Sequence, residues 1–422
     1  MVILYLNMRV LDTKQIYAYR RKINRKKKVV RSGFVAASLA VLLVGYAYIA
    51  YQKPLPDVAV IASNYPNTKV TNPKLVWPRY GQAAIGTKEY GLLNVNGDQV
   101  ATPTASVAKI MTALSVLKQK PVEKGQQGPT ITLSEDDVAL HDYYSSIDGS
   151  VVQVTNGEQI SEYQALEAML LPSANNMAES LGRWAFGSTD AYLTYANGLA
   201  AQLGMSKSHF ADASGFSPNT VSTASDLVKL GIAAMNEPVL AEIVGKNQAS
   251  VPVVGTVYNT NFQLGHDGVV GIKTGNTDQA GGCYLFAAEH TYAGNKKVTV
   301  IGAIMSAPTI GTAIKDSGPL FQSAYNGFGD IKVVKKGQDM GRYHFAWGGD
   351  NLAVAKEDLT VFGWLGTSLG PNVSLEPIPS KLAAGSSVGT LTIESKLDRK
   401  SGSIIIKESN TSPSWWWRMT HV

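Results

Sequence analysis

A chain of 422 residues with 45% hydrophobic and 17% charged content describes an ordinary folded protein with room for two or more domains. Its net charge of +6 does not make it a nucleic-acid binder: residues 1–32 hold ten Lys/Arg against one acid, Asp12, while the remainder carries 28 basic and 31 acidic residues. The folded body thus has no excess positive charge to neutralise phosphates. The single cysteine, Cys283, excludes an intramolecular disulfide. Its apolar setting, from Gly282 to Phe286, reads as that of a buried structural thiol.

The basic segment, residues 1–32, has eight cations between positions 20 and 31. It abuts residues 33–51, nineteen without a charge, just enough for a membrane-spanning helix. Tyr46, Tyr48 and Tyr51 lie toward one end, where aromatic rings suit the interface, and the cations should stay cytoplasmic, exporting everything after Tyr51. The alternative is a cleaved signal peptide, with Gly45-Tyr46-Ala47 as the small-x-small site. Residues 52–75, with four prolines, read as a linker.

Short apolar runs around Asn96-Gly97, a tight-turn signal, predict strands before residue 103. Ser106-x-x-Lys109 then opens an apolar helical run through Leu117. Three residues apart on a helix, the hydroxyl and amine share a face, the arrangement of a Ser nucleophile with a Lys base. Short strands are expected at 132–134 and 151–154, around a polar helical piece starting at Glu135. Ser161 to Gln164 is a capping-box pattern opening a helix that ends at Pro172. Helices are expected again at 176–186, 191–203 and 227–235, and strands at 251–257, 269–274, 284–288 and 298–305. A helical middle framed by strands indicates an α/β sandwich whose sheet mixes N- and C-terminal strands. From about Ile331, β-branched segments alternate with Gly, Pro and Ser turns, predicting a separate β-sandwich-like domain over residues 331–408. Residues 409–422 form a Trp-rich tail, equally readable as a membrane-interface contact or a disordered end.

Two further motifs follow Ser106-x-x-Lys109: Ser173-x-Asn175 on a loop between helices, and Lys273-Thr274-Gly275 ending a β-run. In this order and context the chain, over residues 76–330, resembles the serine D-Ala-D-Ala carboxypeptidases, the low-molecular-mass penicillin-binding proteins of peptidase S11 type. Ser214-Gly215-Phe216 and Ser222-Thr223-Ala224 look like further words of that family. The resemblance implies a transpeptidase-like α/β catalytic domain and an acyl-enzyme on Ser106. Lys109 would take the serine proton, which requires a neutral amine, and burial and the Lys273 ammonium would both favour that form. Ser173 would relay a proton, and Asn175 would orient Lys109 and bind the substrate backbone. Lys273 and Thr274 suit the substrate's terminal carboxylate, with Gly275 leaving room beside the strand. The family's oxyanion hole corresponds here to the backbone N–H groups of Ser106 and Asn276.

The implied substrates are peptidoglycan stem peptides ending in D-Ala-D-Ala, with β-lactams as covalent inhibitors, and neither cofactor nor metal is implied. The six histidines show no metal-ligand spacing. No Glu stands where a fast deacylation base would be expected, so the penicilloyl-enzyme should be long-lived. Two G-x-S-x-G strings, at 366–370 and 385–389, lie in the β-rich region and read as turns. Carboxypeptidase action is the first expectation; cross-link cleavage and an inert wall-binding protein of the same fold are the rivals.

Overall fold

The computed structural model describes residues 12–421; the first eleven residues of the basic segment, and Val422, lie outside that range. The chain opens with a long helix, α1 (Thr13–Gln52), whose surface is almost wholly exposed and whose apolar half is long enough to cross a membrane. Strands β1 (Gln82–Thr87) and β2 (Gly91–Asn96) precede a 3₁₀ turn, Ala105–Ala108, that runs into α2 (Lys109–Gln119). Helices α3 (Glu135–Ser146), α4 (Glu162–Leu170), α5 (Asn175–Phe186), α6 (Thr189–Gln202), α7 (Ala224–Asn236) and α8 (Pro238–Val244) form the middle. Strands β3 (Val269–Thr277), β4 (Gly281–Tyr292) and β5 (Lys296–Ala307), then helix α9 (Ile310–Tyr325), complete this unit.

The five strands make one antiparallel sheet in the order β3-β4-β5-β1-β2, so N- and C-terminal segments mix as expected. Every residue of β1 is buried, as a central strand covered on both faces requires, while β2 lies at the edge and alternates. Helix α7 covers one face and α9 the other. Gly231 lets α7 close on the sheet: a Cβ there would stand 2.7 Å from Ile301 Cγ2. Beyond α7, one apolar cluster joins α2, α4 and α5, and all nine residues from Lys109 to Leu117 are buried. Burial of α2 on all sides fixes where its first residues can point.

Several elements depart from expectation. Residues 151–154 form no strand, because the Asn176 side chain replaces a strand neighbour: Val152 N donates to its Oδ1 at 3.2 Å and its Nδ2 donates to Val152 O at 3.0 Å. The partner of Thr130–Thr132 is instead Gln159–Ser161. The run at 251–257 is a hairpin, Gln248–Val251 with Gly255–Tyr258, reversed at Val253 and Gly255, both with positive φ. Helix α9 gave no clear sequence signal, since Pro319 interrupts its pattern, yet it buries Leu320 and Phe321 against the sheet.

Downstream, a six-stranded sheet and a two-stranded ribbon, Phe328–Val334 with Leu359–Trp364, enclose a separate apolar core. The ribbon crosses the expected boundary at 330, and its Phe328, Phe362 and Trp364 pack into the α9 core. Residues 52–75 are not a free linker. Ala59–Ile61 pairs antiparallel with Asp339–Phe345 and covers that sheet edge. Further on, Thr68 N donates to Leu369 O at 2.7 Å and Thr71 N to Leu365 O at 3.2 Å. Extended, proline-spaced backbone leaves its N–H groups free, and the sheet edge and the turn at residues 365–369 take them up. The tail is ordered as α10 (Trp415–Thr420).

Glu162, at the start of α4, is fully buried and neither carboxylate oxygen has a hydrogen-bond partner among the described residues. Burial pushes its carboxyl up to about 7, against a smaller pull from Lys120. A raised carboxyl pKa means the fold binds this proton more tightly than the unfolded chain does. Its stabilising contribution is therefore complete below about pH 4.5 and is lost as pH rises through about 7. Glu162→Gln, which keeps the neutral shape, should leave Tm nearly unchanged at pH 4.5 and raise it by a few degrees at pH 8, read by differential scanning calorimetry.

Candidate active site

Ser106 is held on a constrained turn. The residue before it, Ala105, has φ +48, a conformation that costs a non-glycine residue on the order of 1–3 kcal/mol and persists only where packing enforces it. Two glycines do so. A Cβ at Gly215, itself at φ +76, would stand 1.9 Å from Ala105 O, and one at Gly275 would stand 3.0 Å from Ala105 Cβ and 2.9 Å from Ser106 N. Gly275 thus lets β3 press against the backbone of Ser106.

One turn on, Lys109 is completely buried. Its Nζ lies 2.8 Å from Ser106 Oγ, 2.6 Å from Asn175 Oδ1 and 2.8 Å from Ser214 O. An ammonium donates to all three. The free amine keeps two donors, for Asn175 and Ser214, and turns its lone pair toward the serine hydroxyl. Burial, reinforced by the positive charge of Lys273 and opposed by Asp212 and Glu179, holds the Lys109 pKa well below the usual lysine range. The site is thereby equipped to take a proton from Ser106.

The second motif joins α4 to α5. Ser173, buried and at φ +68, has no protein partner for its hydroxyl among the described residues. Asn175 opens α5 and is fixed by its own N–H, which donates to Ser150 O at 2.7 Å. The third motif lies on β3. Lys273 is buried, its Nζ donating to Thr274 O at 3.0 Å, and burial lowers its pKa to about 7. Thr274 Oγ1 is 2.8 Å from Thr260 Oγ1. Asn276 is exposed near the end of the same strand. It lines a cleft of about 760 Å³ with the end of α3 (Tyr143 and Tyr144), Asp148, Phe216 and Asp278. The structure thus joins Ser106, Lys109 and Asn175 by direct hydrogen bonds and presses the Gly275 backbone against Ser106.

Sequence reasoning missed the support beneath these groups. Asp212 Oδ2 accepts from Ser214 Oγ at 2.7 Å, Phe216 N at 2.9 Å and Ser217 N at 3.2 Å, and Thr220 Oγ1 donates to its Oδ1. Glu179 Oε1 accepts from Ala213 N at 3.0 Å. Together they hold the 212–217 loop so that the Ser214 carbonyl faces Lys109. The Asp212 to Gly215 run was the available signal, but a backbone carbonyl leaves no mark on residue type. Thr260 had no signal at all. In Ser222-Thr223-Ala224, Thr223 caps α7 and Ala224 N donates to Gln82 Oε1 at 3.1 Å, tying that helix to β1. Cys283 is buried, with its thiol pushed up to about 11 by desolvation.

Gly275→Ala should therefore displace β3 from Ser106. Acylation of Ser106 by a fluorescent penicillin should slow by about 10²-fold, the scale of losing one oxyanion donor. Unchanged far-ultraviolet circular dichroism would show that the fold survives.

Residues 91–309 match the family model described as D-alanyl-D-alanine carboxypeptidase, peptidase S11. A D-alanyl-D-alanine endopeptidase of Pseudomonas aeruginosa is 29% identical over 238 residues, 54% of this chain and 73% of that one. A D-alanyl-D-alanine carboxypeptidase of a Streptomyces species is 28% identical over 270 residues, 58% of this chain and 86% of that one. In structure, the carboxypeptidase DacD of Francisella tularensis superposes with a TM-score of 0.56 at 18% identity, covering 82% of this chain and 97% of that one, a likeness of fold that includes more than the catalytic unit. The family match takes in all three motifs and more than half of the sequence, so the chain belongs to the D-alanyl-D-alanine carboxypeptidase family, the S11 serine DD-peptidases.

Proposed function

We propose that this protein is a membrane-anchored D,D-carboxypeptidase that removes the terminal D-alanine from peptidoglycan stem peptides. The observation that carries the reading is the buried Lys109 amine hydrogen-bonded to Ser106. Ser106 Oγ attacks the carbonyl carbon of the D-Ala-D-Ala bond as Lys109 Nζ accepts the hydroxyl proton. The tetrahedral oxyanion lies toward the N–H groups of Ser106 and Asn276, and the Ser173 hydroxyl gives its proton to the leaving amine and takes one from the Lys109 ammonium, which leaves Lys109 neutral again. D-Alanine departs, and water then cleaves the ester, returning the proton to Ser106. Lys273 and Thr274 hold the terminal carboxylate by one charge and one hydroxyl. β-Lactams, which present the same carboxylate beside a strained amide, acylate the same serine. Helix α1 serves as the anchor and places the catalytic unit outside the membrane.

Release of D-alanine from a pentapeptide ending in D-Ala-D-Ala, followed by mass spectrometry, tests the reading. Wild type should release it, and Ser106→Ala or Lys109→Ala should each lower kcat/KM by about 10⁴-fold or more; no release by wild type overturns carboxypeptidase action. Cross-link cleavage is the second reading, favoured by the P. aeruginosa relative, whose name is that of an endopeptidase. Faster turnover of cross-linked than of monomeric muropeptides would select it.

The two lysines impose a pH profile. Lys109 must be neutral, which sets an acid limb at its lowered pKa. Lys273 must be charged to hold a carboxylate, and in the free enzyme that charge is lost above about pH 7. Penicillin acylation should follow a bell-shaped curve. Lys273→Ala should abolish the alkaline limb and move the acid limb to higher pH, because removing a neighbouring cation raises the Lys109 pKa.

A further inference from the structure

The third motif has a neighbour that belongs to none of the three motifs. Thr260 lies in the loop between the hairpin that ends at Tyr258 and β3, exposed beside the buried Thr274. Its place there does not depend on its side chain. Thr260 N donates to Leu171 O at 3.0 Å, which ties the loop to the chain two residues before Ser173. On either side, Asn259 Nδ2 donates to Lys246 O at 2.9 Å, and Tyr284 Oη, from β4, donates to Asn261 Oδ1 at 2.9 Å. Residues 259–261 thus bridge the second motif and the sheet that carries the third.

The Thr260 hydroxyl is thereby set between the two side chains proposed to hold a carboxylate. Its Oγ1 is 2.8 Å from Thr274 Oγ1 and 3.5 Å from Lys273 Nζ. Each hydroxyl has one proton, so the bond between the two threonines can run either way, and the direction matters. If Thr274 donates, its only proton is committed to Thr260, and an incoming carboxylate meets lone pairs. If Thr260 donates, Thr274 accepts and keeps its own proton for the carboxylate. Lys273 decides between them. An ammonium cannot accept, so even at 3.5 Å its charge turns the Thr260 oxygen toward itself and the Thr260 proton toward Thr274. A second ammonium proton goes to Thr274 O at 3.0 Å, and the third has no partner among the described residues.

We infer that Thr260 is a positioning residue: it transmits the polarity of the Lys273 ammonium to Thr274 and so points the Thr274 proton at the substrate's terminal carboxylate. The inference rests on the reading in which Lys273 and Thr274 bind that carboxylate. Thr260 has no part in the attack on the carbonyl, so its loss weakens carboxylate recognition and leaves the reactivity of Ser106 intact.

Benzylpenicillin and its methyl ester differ only in that carboxylate. The test compares their second-order rates of Ser106 acylation in the full chain in detergent micelles, followed by intact-protein mass spectrometry. Wild type should react with the acid faster than with the ester by about 10–10²-fold, the scale of hydrogen bonds to a charged group. Thr260→Val keeps the shape and the backbone N–H, and should slow the acid by about tenfold with little change for the ester. Thr260→Ala, which sets no methyl group beside the ammonium, should show the same selective loss, and Thr260→Ser should restore the wild-type ratio. An acid-to-ester ratio unchanged in both Thr260→Val and Thr260→Ala overturns the inference alone. So does an equal slowing of acid and ester, the mark of a merely structural role, or a failure of Thr260→Ser to restore the ratio. A wild-type ratio near one overturns the carboxylate reading of Lys273 and Thr274, and the inference with it. Neither result depends on D-alanine release, so a failure of carboxypeptidase action is read separately.

Discussion

The structure depends on keeping an amine inside the protein. Desolvating an ammonium costs on the order of several kcal/mol, and the fold meets that cost by making the neutral form available rather than by pairing the charge. Lys109 has no carboxylate among its hydrogen-bond partners; its partners are a hydroxyl, an amide oxygen and a backbone carbonyl. Asp212 and Glu179 act on it only through space, and both are engaged by other donors. A direct ion pair would have stabilised the charged amine and removed its lone pair from use. Keeping these carboxylates off the amine therefore leaves its lone pair free to face Ser106.

That arrangement explains the packing around it. The three polar partners of Lys109 come from the turn before α2, the start of α5 and the 212–217 loop, which are distant in sequence. They converge only because α2 is buried on every side and because glycine stands where the segments cross. Gly215 admits the Ala105 carbonyl and Gly275 admits the Ser106 amide, so the left-handed backbone at Ala105 is enforced from two directions. The carboxylates beneath the loop then do what a strand neighbour does elsewhere: Asp212 gathers the N–H groups of Phe216 and Ser217, which have no helix or sheet to satisfy them.

Legibility in the sequence followed residue type. Ser106, Lys109, Asn175 and Lys273 were readable because the chemistry proposed for them needs those side chains at those spacings, and the capping box at Ser161 was readable because both its halves are side chains. The Ser214 carbonyl was not, since any residue supplies one. The same rule holds for the fold. Strand β1 and helix α7 announced themselves by local pattern, whereas α9 needed the sheet to define its buried face across Pro319. Residues 151–154 looked like a strand because they are apolar and β-branched, and only Asn176, more than twenty positions away, decides that they pair with a side chain instead.

The proline-rich stretch after α1 misled for a related reason. Its composition describes how the backbone behaves alone, extended and without internal hydrogen bonds, and that is also what a sheet edge accepts. Ala59–Ile61 pairs with residues more than 270 positions later, so the strand is made long before its partner exists. The pairing closes a loop that contains the whole catalytic unit, so this edge of the β-rich sheet is one of the most non-local contacts in the fold. In the finished molecule the catalytic unit is an insertion: the chain leaves α1, passes along the β-rich domain, folds the α/β unit and returns. The ribbon Phe328–Val334 with Leu359–Trp364 then fixes the two units together through Phe328, Phe362 and Trp364. The site at Ser106 is thus carried on a body tied to the β-rich domain at two places, rather than on a flexible tether.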